Sequence, residues 1–535
     1  MNDVAQSATG RRHVQDGLYT VLLLALAVAQ GYAFLPPAAP APTARVGVIL
    51  QEPSASPILP HTTERALPEA AIVPTASVAA ASHPPAVVAA IPKPPAVAPS
   101  PAVAPSPAIA PSPAITPPPA PVAPLIRGEW PAKVTGRVLG PDAAPMANVP
   151  LVAGGREVLT DAEGTFTLER VPADTVVIVK MPGFEKVTLL PGPNPSLEVT
   201  LKPHAVKAAY LTYYGIADRG IRTRVLDLVA RTELNAVVID IKGDRGWIPY
   251  RTEFEPALAA GAQGPVIIKD FEGLIADLKA RGVYTIARIV TFKDNALANR
   301  RPDLAITDTR TGKPWIDNEK LAWVDPFQEE VWNYNIGIAK EAARKGFDEI
   351  QFDYVRFPTD GRLSAARYLR PNNKETRLPT IVGFLGRARQ ELGPLGVFVA
   401  ADVFGYTAFN ENDTDIGQRI EELAPHLDYI CPMVYPSGYH VGIPGFRNPV
   451  ENAYEVVNQS VKLIRKRSAG LKVRVRPWLQ DFKDYAFDRR IFGVTEIRAQ
   501  IRGTDEGGGT GWMLWNPRND YTGAALRPKG SIAAQ

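Results

Sequence analysis

Two aspartates end apolar segments in a way that suits acid/base chemistry: Asp353 closes Glu349-Ile350-Gln351-Phe352-Asp353, and Asp402 closes Phe398-Val399-Ala400-Ala401-Asp402. In extended chain, alternate residues share a face, so Gln351 and Asp353 point one way while Phe352 and Tyr354 point the other. By the same rule Asp402 shares its face with Ala400 and Phe398. On neighbouring strands, about 4.8 Å apart, the two carboxyls would meet at one cleft. Such a pair can cleave a glycosidic bond, one group protonating the leaving oxygen while the other supplies a nucleophile or activates water. Other polar and aromatic residues fall at similar segment ends: Asp240, Arg288, Arg356 and Arg476 for sugar hydroxyls or an acidic sugar, and Tyr435, Trp478 and Trp515 for the apolar faces of sugar rings. Each also has a purely structural reading. Asp353 can pair with Arg288 or Arg356, Asp240 can pair with Lys242, and aromatics fill cores as readily as binding sites. The spacing leaves open whether the carboxyls stand about 5 to 5.5 Å apart, as retention requires, or about 6.5 to 9.5 Å, as inversion requires.

The elements that would position these residues are legible from Val206 onward. Strand-like runs are expected at residues 208–214, 236–241, 284–291, 349–354, 397–402, 429–435, 472–479 and 511–515. Amphipathic helical patterns alternate with them at residues 221–231, 271–281, 328–345, 380–392, 416–423, 451–467 and 495–502. This alternation predicts an α/β fold, a (β/α)8 TIM barrel, whose chemistry sits at the C-terminal ends of the strands. No GxGxxG follows the first strand, which argues against a dinucleotide-binding sheet. The run Glu506-Gly507-Gly508-Gly509 precedes a strand instead of following one, so it reads as a turn and not a phosphate cradle.

Several segments in this order resemble a bacterial family assigned as glycoside hydrolases on a TIM barrel: Ala209-Tyr210-Leu211-Thr212-Tyr213-Tyr214-Gly215, Val238-Ile239-Asp240-Ile241-Lys242, Phe352-Asp353-Tyr354-Val355-Arg356-Phe357-Pro358, Ala401-Asp402-Val403-Phe404-Gly405 and Trp512-Met513-Leu514-Trp515-Asn516-Pro517. The resemblance spans residues 206–525 and implies a glycosidase. More distantly, the barrel resembles the amylase-like arrangement, in which an aspartate ending the fourth strand is the nucleophile and an acid ends the fifth. That acid is usually glutamate, and this chain departs from the pattern with Asp402.

The remaining sequence places the barrel at the end of a tether. Arg11 and Arg12 precede an uncharged stretch, residues 17–35, that fits either a cleaved signal peptide or an uncleaved membrane anchor. Export, with a periplasmic or extracellular location and a possible inner-membrane tether, is the expectation. Of the 53 prolines, 25 fall between Pro36 and Pro124, where Ala-Pro-Ser-Pro-Ala occurs three times. Proline fixes φ and lacks a donor, so residues 36–130 are expected to be a disordered, semi-rigid linker. Short alternating runs over residues 131–202, with Thr160-Asp161-Ala162-Glu163-Gly164-Thr165-Phe166 and Pro182-Gly183-Phe184, predict a small antiparallel β-sandwich. They resemble carboxypeptidase regulatory-like domains.

With 59 basic and 55 acidic residues the charge is nearly balanced, so nucleic acid is not an expected partner. The single cysteine, Cys431, rules out an intramolecular disulfide and CxxC zinc motifs. No HExxH or HxH pattern occurs, and neither metal nor cofactor is expected. The leading expectation is a glycoside hydrolase acting on a cell-envelope or extracellular polysaccharide, with Asp353 and Asp402 as the catalytic pair. Its rivals are a non-catalytic glycan-binding or envelope-scaffold protein on the same barrel and a barrel enzyme of other chemistry. Oligomeric state is open.

Overall fold

The computed structural model describes residues 133–171, 175–191 and 196–531. The apolar segment expected at residues 17–35 and the linker expected at residues 36–130 lie outside the described residues. No described helix is long and apolar enough to cross a membrane.

The first described strands are short, and the run Thr165–Glu169 alternates in burial residue by residue, as period-two patterning demands. They are β1 (Lys133–Leu139), β2 (Pro150–Ala153), β3 (Arg156–Leu159), β4 (Thr165–Glu169), β5 (Val177–Val179), β6 (Val187–Leu189) and β7 (Ser196–Thr200). They form two sheets, ordered β4-β1-β7 and β3-β2-β5-β6, around a core that includes Val138, Leu151, Phe166, Val177 and Leu201. Two details correct the expected sandwich. Strand β3 adds a hairpin to the expected runs; Gly154 and Gly155, both at positive φ, turn the chain tightly from β2 into it. Strand β7 runs parallel to β1, not antiparallel.

The barrel strands follow: β8 (Val206–Leu211), β9 (Ala236–Lys242), β10 (Tyr284–Val290), β11 (Glu349–Asp353), β12 (Phe398–Phe404), β13 (Tyr429–Met433), a seventh position split into β14 (Arg474–Val475) and β15 (Trp478–Gln480), and β16 (Gly511–Trp515). All pair in parallel, and β16 returns to β8 to close a (β/α)8 barrel. Strands covered on both faces read as unbroken apolar runs, which is why every residue of β9 and β12 is buried. Gly511 permits the closure: its φ is +80° and a Cβ there would lie 2.0 Å from the Val206 carbonyl oxygen. Pro477, with no N–H to give, interrupts the seventh strand.

Helices α1 (Arg219–Arg231), α2 (Phe271–Ala280), α3 (Glu329–Arg344), α4 (Lys374–Leu392), α5 (Ile420–Leu423), α6 (Ala453–Arg467) and α7 (Val494–Gly507) surround the strands. In α1, Asp218 caps the Ile221 amide at 2.8 Å, and Val225, Leu228 and Val229 form the buried stripe.

Inside the barrel, side chains stack in layers. Tyr284, Glu349, Phe398 and Tyr429 fill the base; Ala208, Ile286, Gln351, Ala400, Cys431 and Met513 come next; Tyr210, Asp240, Arg288, Asp353, Asp402, Trp478 and Trp515 occupy the top. The sandwich seals the base. Lys180, fully buried, donates to the Val397 carbonyl at 2.6 Å and stands 3.7 Å from Asp428; the Gly183 amide donates to the Tyr429 hydroxyl at 3.0 Å.

Candidate active site

The top layer is organised by one buried arginine. Strand register puts Arg288 of β10 beside Asp240 of β9, with Asp353 two residues above its other neighbour, Gln351 of β11. Its Nη1 donates to Asp240 Oδ1 at 2.6 Å, while Nε and Nη2 both donate to Asp353 Oδ2, at 3.0 and 2.6 Å. Burial alone would lower the Arg288 pKa, but the charges of Asp353 and Asp240 hold it well above its ordinary value. The second oxygen of Asp240 accepts from the Tyr210 hydroxyl at 2.6 Å and the Tyr213 amide at 3.2 Å. Asp353 Oδ1 accepts from the Tyr354 amide at 2.6 Å. A buried ion pair persists only when its lone pairs are satisfied in this way.

Asp402 is different. It is 1 % exposed, its Oδ1 accepts from Trp478 Nε1 at 2.8 Å, and its Oδ2 has no partner. Burial, reinforced by the negative charge of Asp353, pushes its carboxyl pKa well above the usual range. Two carboxyls close together in a dry site cannot both ionise cheaply, and Asp402, which has no ion-pair partner of its own, is the one pushed toward its acid form.

Above this layer opens a cleft enclosing about 880 Å³, open solvent included. Asp240, Arg288 and Trp515 belong to its lining, as do Tyr213, Trp247 and Glu319. Trp515 stacks on Tyr210 with ring centroids 4.0 Å apart, and Arg288 lies 5.2 Å from the Trp515 ring centre. Asp353, 3 % exposed, and Asp402 are buried in the top layer and are not part of the cleft wall.

The expected site residues therefore separate. Asp240, Arg288, Asp353, Asp402, Trp478 and Trp515 are brought into one hydrogen-bonded and stacked group. Tyr435 is buried near it, its ring 5.5 Å from Phe482, and is not in the cleft lining. Two arginines do not fit the expected role. Arg476 lies in the base, with Nη1 donating to Glu349 Oε2 at 3.0 Å, Nη2 to Glu349 Oε1, and its guanidinium 4.2 Å from the Tyr429 ring centre. Arg476 lies four residues before the end of the seventh strand at Gln480, about 13 Å below it at about 3.3 Å per residue, which puts it in the base and not at the mouth. Arg356 leaves the barrel axis because Tyr354, at φ +49°, turns the chain as β11 ends. It is enclosed by the rings of Trp323, Tyr354 and Phe404 and donates to the Phe357 carbonyl at 3.0 Å.

Sequence reasoning missed Asp244, Trp247 and Glu319. The first two follow β9 directly in Gly243-Asp244-Arg245-Gly246-Trp247, where a barrel reading could have sought them. Glu319 lies within the long connection of residues 291–328, and no spacing rule points to it.

The fold and the site define a (β/α)8 barrel protein with carboxyls and aromatics gathered at its C-terminal mouth. Residues 208–521 match the family described as "Putative glycosyl hydrolase domain", and the chain belongs to that family. Among solved structures it is similar to a hypothetical protein from Ruminiclostridium thermocellum, 36 % identical, covering 36 % of this chain and 97 % of that one, with a TM-score of 0.33. It is also similar to the PgaB (BpsB) glycoside hydrolase domain from Bordetella bronchiseptica, 14 % identical over 59 % of this chain and 95 % of that one, TM-score 0.42. A third is a class V chitinase from Pseudomonas fluorescens, 11 % identical over 60 % and 98 %, TM-score 0.38. The comparison with curated proteins returns no match.

Proposed function

We propose that this protein is a glycoside hydrolase that cleaves a cell-envelope or extracellular polysaccharide by paired-carboxyl chemistry. Asp353 is the nucleophile or general base, and Asp402 is the general acid. One observation carries the reading: adjacent strands bring Asp353, paired with Arg288, beside Asp402, a buried carboxyl with one oxygen unpartnered whose pKa burial pushes well above the usual range. That is the division of labour glycosidic cleavage requires. Asp240, Arg288 and Trp515 hold the sugar at the cleft floor. The basic and apolar N-terminus, followed by a proline-rich stretch, supports export and a tether reaching through the envelope, and the sandwich is proposed to be a regulatory-like accessory module.

The test is release of reducing ends by the full-length protein from peptidoglycan, chitin, chitosan and β-glucan, beside Asp353→Asn. Turnover by the parent and at least a hundredfold loss in the variant, with the thermal midpoint retained, are expected. Equal turnover by both would sink the assignment of Asp353. Saturable glycan binding without product, unchanged in the variant, would make the protein a non-catalytic glycan receptor.

A further inference from the structure

The cleft holds more carboxylate than its floor uses. Arg288 is already shared between Asp240 and Asp353, and Asp244 stands 4.0 Å from its Nη2. On the connection after β10, Glu319 lies in a tight turn closed by the Lys320 amide donating to the Asp317 carbonyl at 3.1 Å. Fully buried Lys293 sits beneath it, with Nζ 2.6 Å from Glu319 Oε2 and 3.1 Å from Asp317 Oδ2. Only one Glu319 oxygen is thus engaged. The other, Oε1, is buried without a partner in a residue that lines the cleft. A buried acceptor left unpaired is costly, and Glu319 belongs to the lining of a cleft whose contents can supply the missing donor.

We propose that Glu319 Oε1 is a substrate contact, accepting a hydrogen bond from an O–H or N–H donor of a sugar ring in the cleft lined by Trp247 and Trp515, and that it sets affinity and not the chemical step. This rests on the hydrolase reading above. Lys293 fixes the geometry by holding Oε2, which leaves Oε1 free to accept. The charged and titratable groups around Glu319 are Lys293 and Asp317 from the same connection, Asp244 from the loop after β9, and Tyr354 at the end of β11. Burial pushes the Glu319 carboxyl up to about 7, with Lys293 opposing and Asp244 and Asp317 adding to the shift. The ionised form is the better acceptor, so substrate affinity rises as pH rises through that value.

The test measures KM and kcat between pH 6 and 8 for full-length protein and Glu319→Gln on every glycan of the panel that the parent cleaves. Because Lys293 requires an oxygen, the glutamine amide turns its NH₂ toward the cleft, where it opposes the sugar's donor. KM is expected to rise about tenfold or more, with kcat within about twofold and the fall in KM with pH abolished. Glu319→Asp, which keeps the charge but withdraws it, should raise KM less and keep the pH dependence. A KM rise confined to glycans with free amines identifies the donor as an ammonium; an equal rise on neutral glycans identifies a hydroxyl. Unchanged KM and pH profile in Glu319→Gln, or a fall in kcat with KM intact, would overturn this inference alone. No turnover by the parent on the whole panel would overturn the hydrolase reading and this inference with it.

Discussion

The two ends of the barrel solve the same electrostatic problem in opposite ways. At the base, Arg476 faces a single carboxylate, Glu349, which also accepts from the Tyr284 hydroxyl at 2.9 Å, and the sandwich covers the layer from below. At the top, one arginine serves two carboxylates, a third carboxyl stands beside them with a free oxygen, and a cleft lies overhead. A one-to-one pair under a lid is a structural element. An excess of acid beneath a cleft whose wall includes Asp240 and Arg288 is placed to act on something that enters. The contrast teaches that buried charge alone does not mark a functional site; its stoichiometry and its access to solvent do.

If that contrast is right, substitutions at the two ends separate activity from stability. The largest effect is expected from Asp402→Asn, which removes the proton donor: kcat should drop about 10²- to 10⁴-fold. The alkaline limb of the parent profile, where activity falls as pH rises through the raised Asp402 pKa, should disappear with it. Stability should stay within about 1 kcal/mol, because a neutral amide replaces a neutral acid. A normal rate with an intact alkaline limb would remove Asp402 from the mechanism.

Glu349→Ala at the base should do the reverse, leaving Arg476 buried and unpaired at a cost of about 3 to 5 kcal/mol, measured by urea denaturation. Replacing Arg476 with Met in the same chain should restore much of that loss. If Glu349→Ala instead raised KM and left stability alone, the base would be a binding site and the comparison would fail.

The smallest effect tests the lid. Lys180→Met removes the donor to the Val397 carbonyl, and about 1 to 3 kcal/mol is expected, since burial already lowers the Lys180 pKa and weakens its charged form. Thermal melting with kcat intact is the expected outcome. A loss of activity without a loss of stability would tie the sandwich to the cleft instead of to the base.

Much of the top layer was legible in the sequence because it depends on local rules. Asp240, Arg288, Asp353 and Asp402 sit at strand ends with period-two neighbours, and parallel pairing of adjacent strands then makes them meet. The same rules misplace Arg476, which lies four residues before the end of its strand and so in the base, and Arg356, because a single positive φ at Tyr354 redirects the chain. Helix α4 begins at Lys374, capped by the Asn373 side chain, and runs through Pro379; the sequence expectation began it only at residue 380.

What the chain determines by itself is therefore the alternation of strand and helix, the closed barrel that alternation implies, and the identity of the residues at its mouth. These follow from periodicities of two and 3.6 residues that act over a few positions. Only the tertiary structure decides which carboxyl is pushed toward its acid form, since that depends on burial and on charges drawn from three different strands. It also decides that Glu319 reaches the cleft and that Arg476 lies beneath a sandwich fastened by Lys180 and Gly183. Those outcomes join residues far apart in the chain, and no local spacing encodes them.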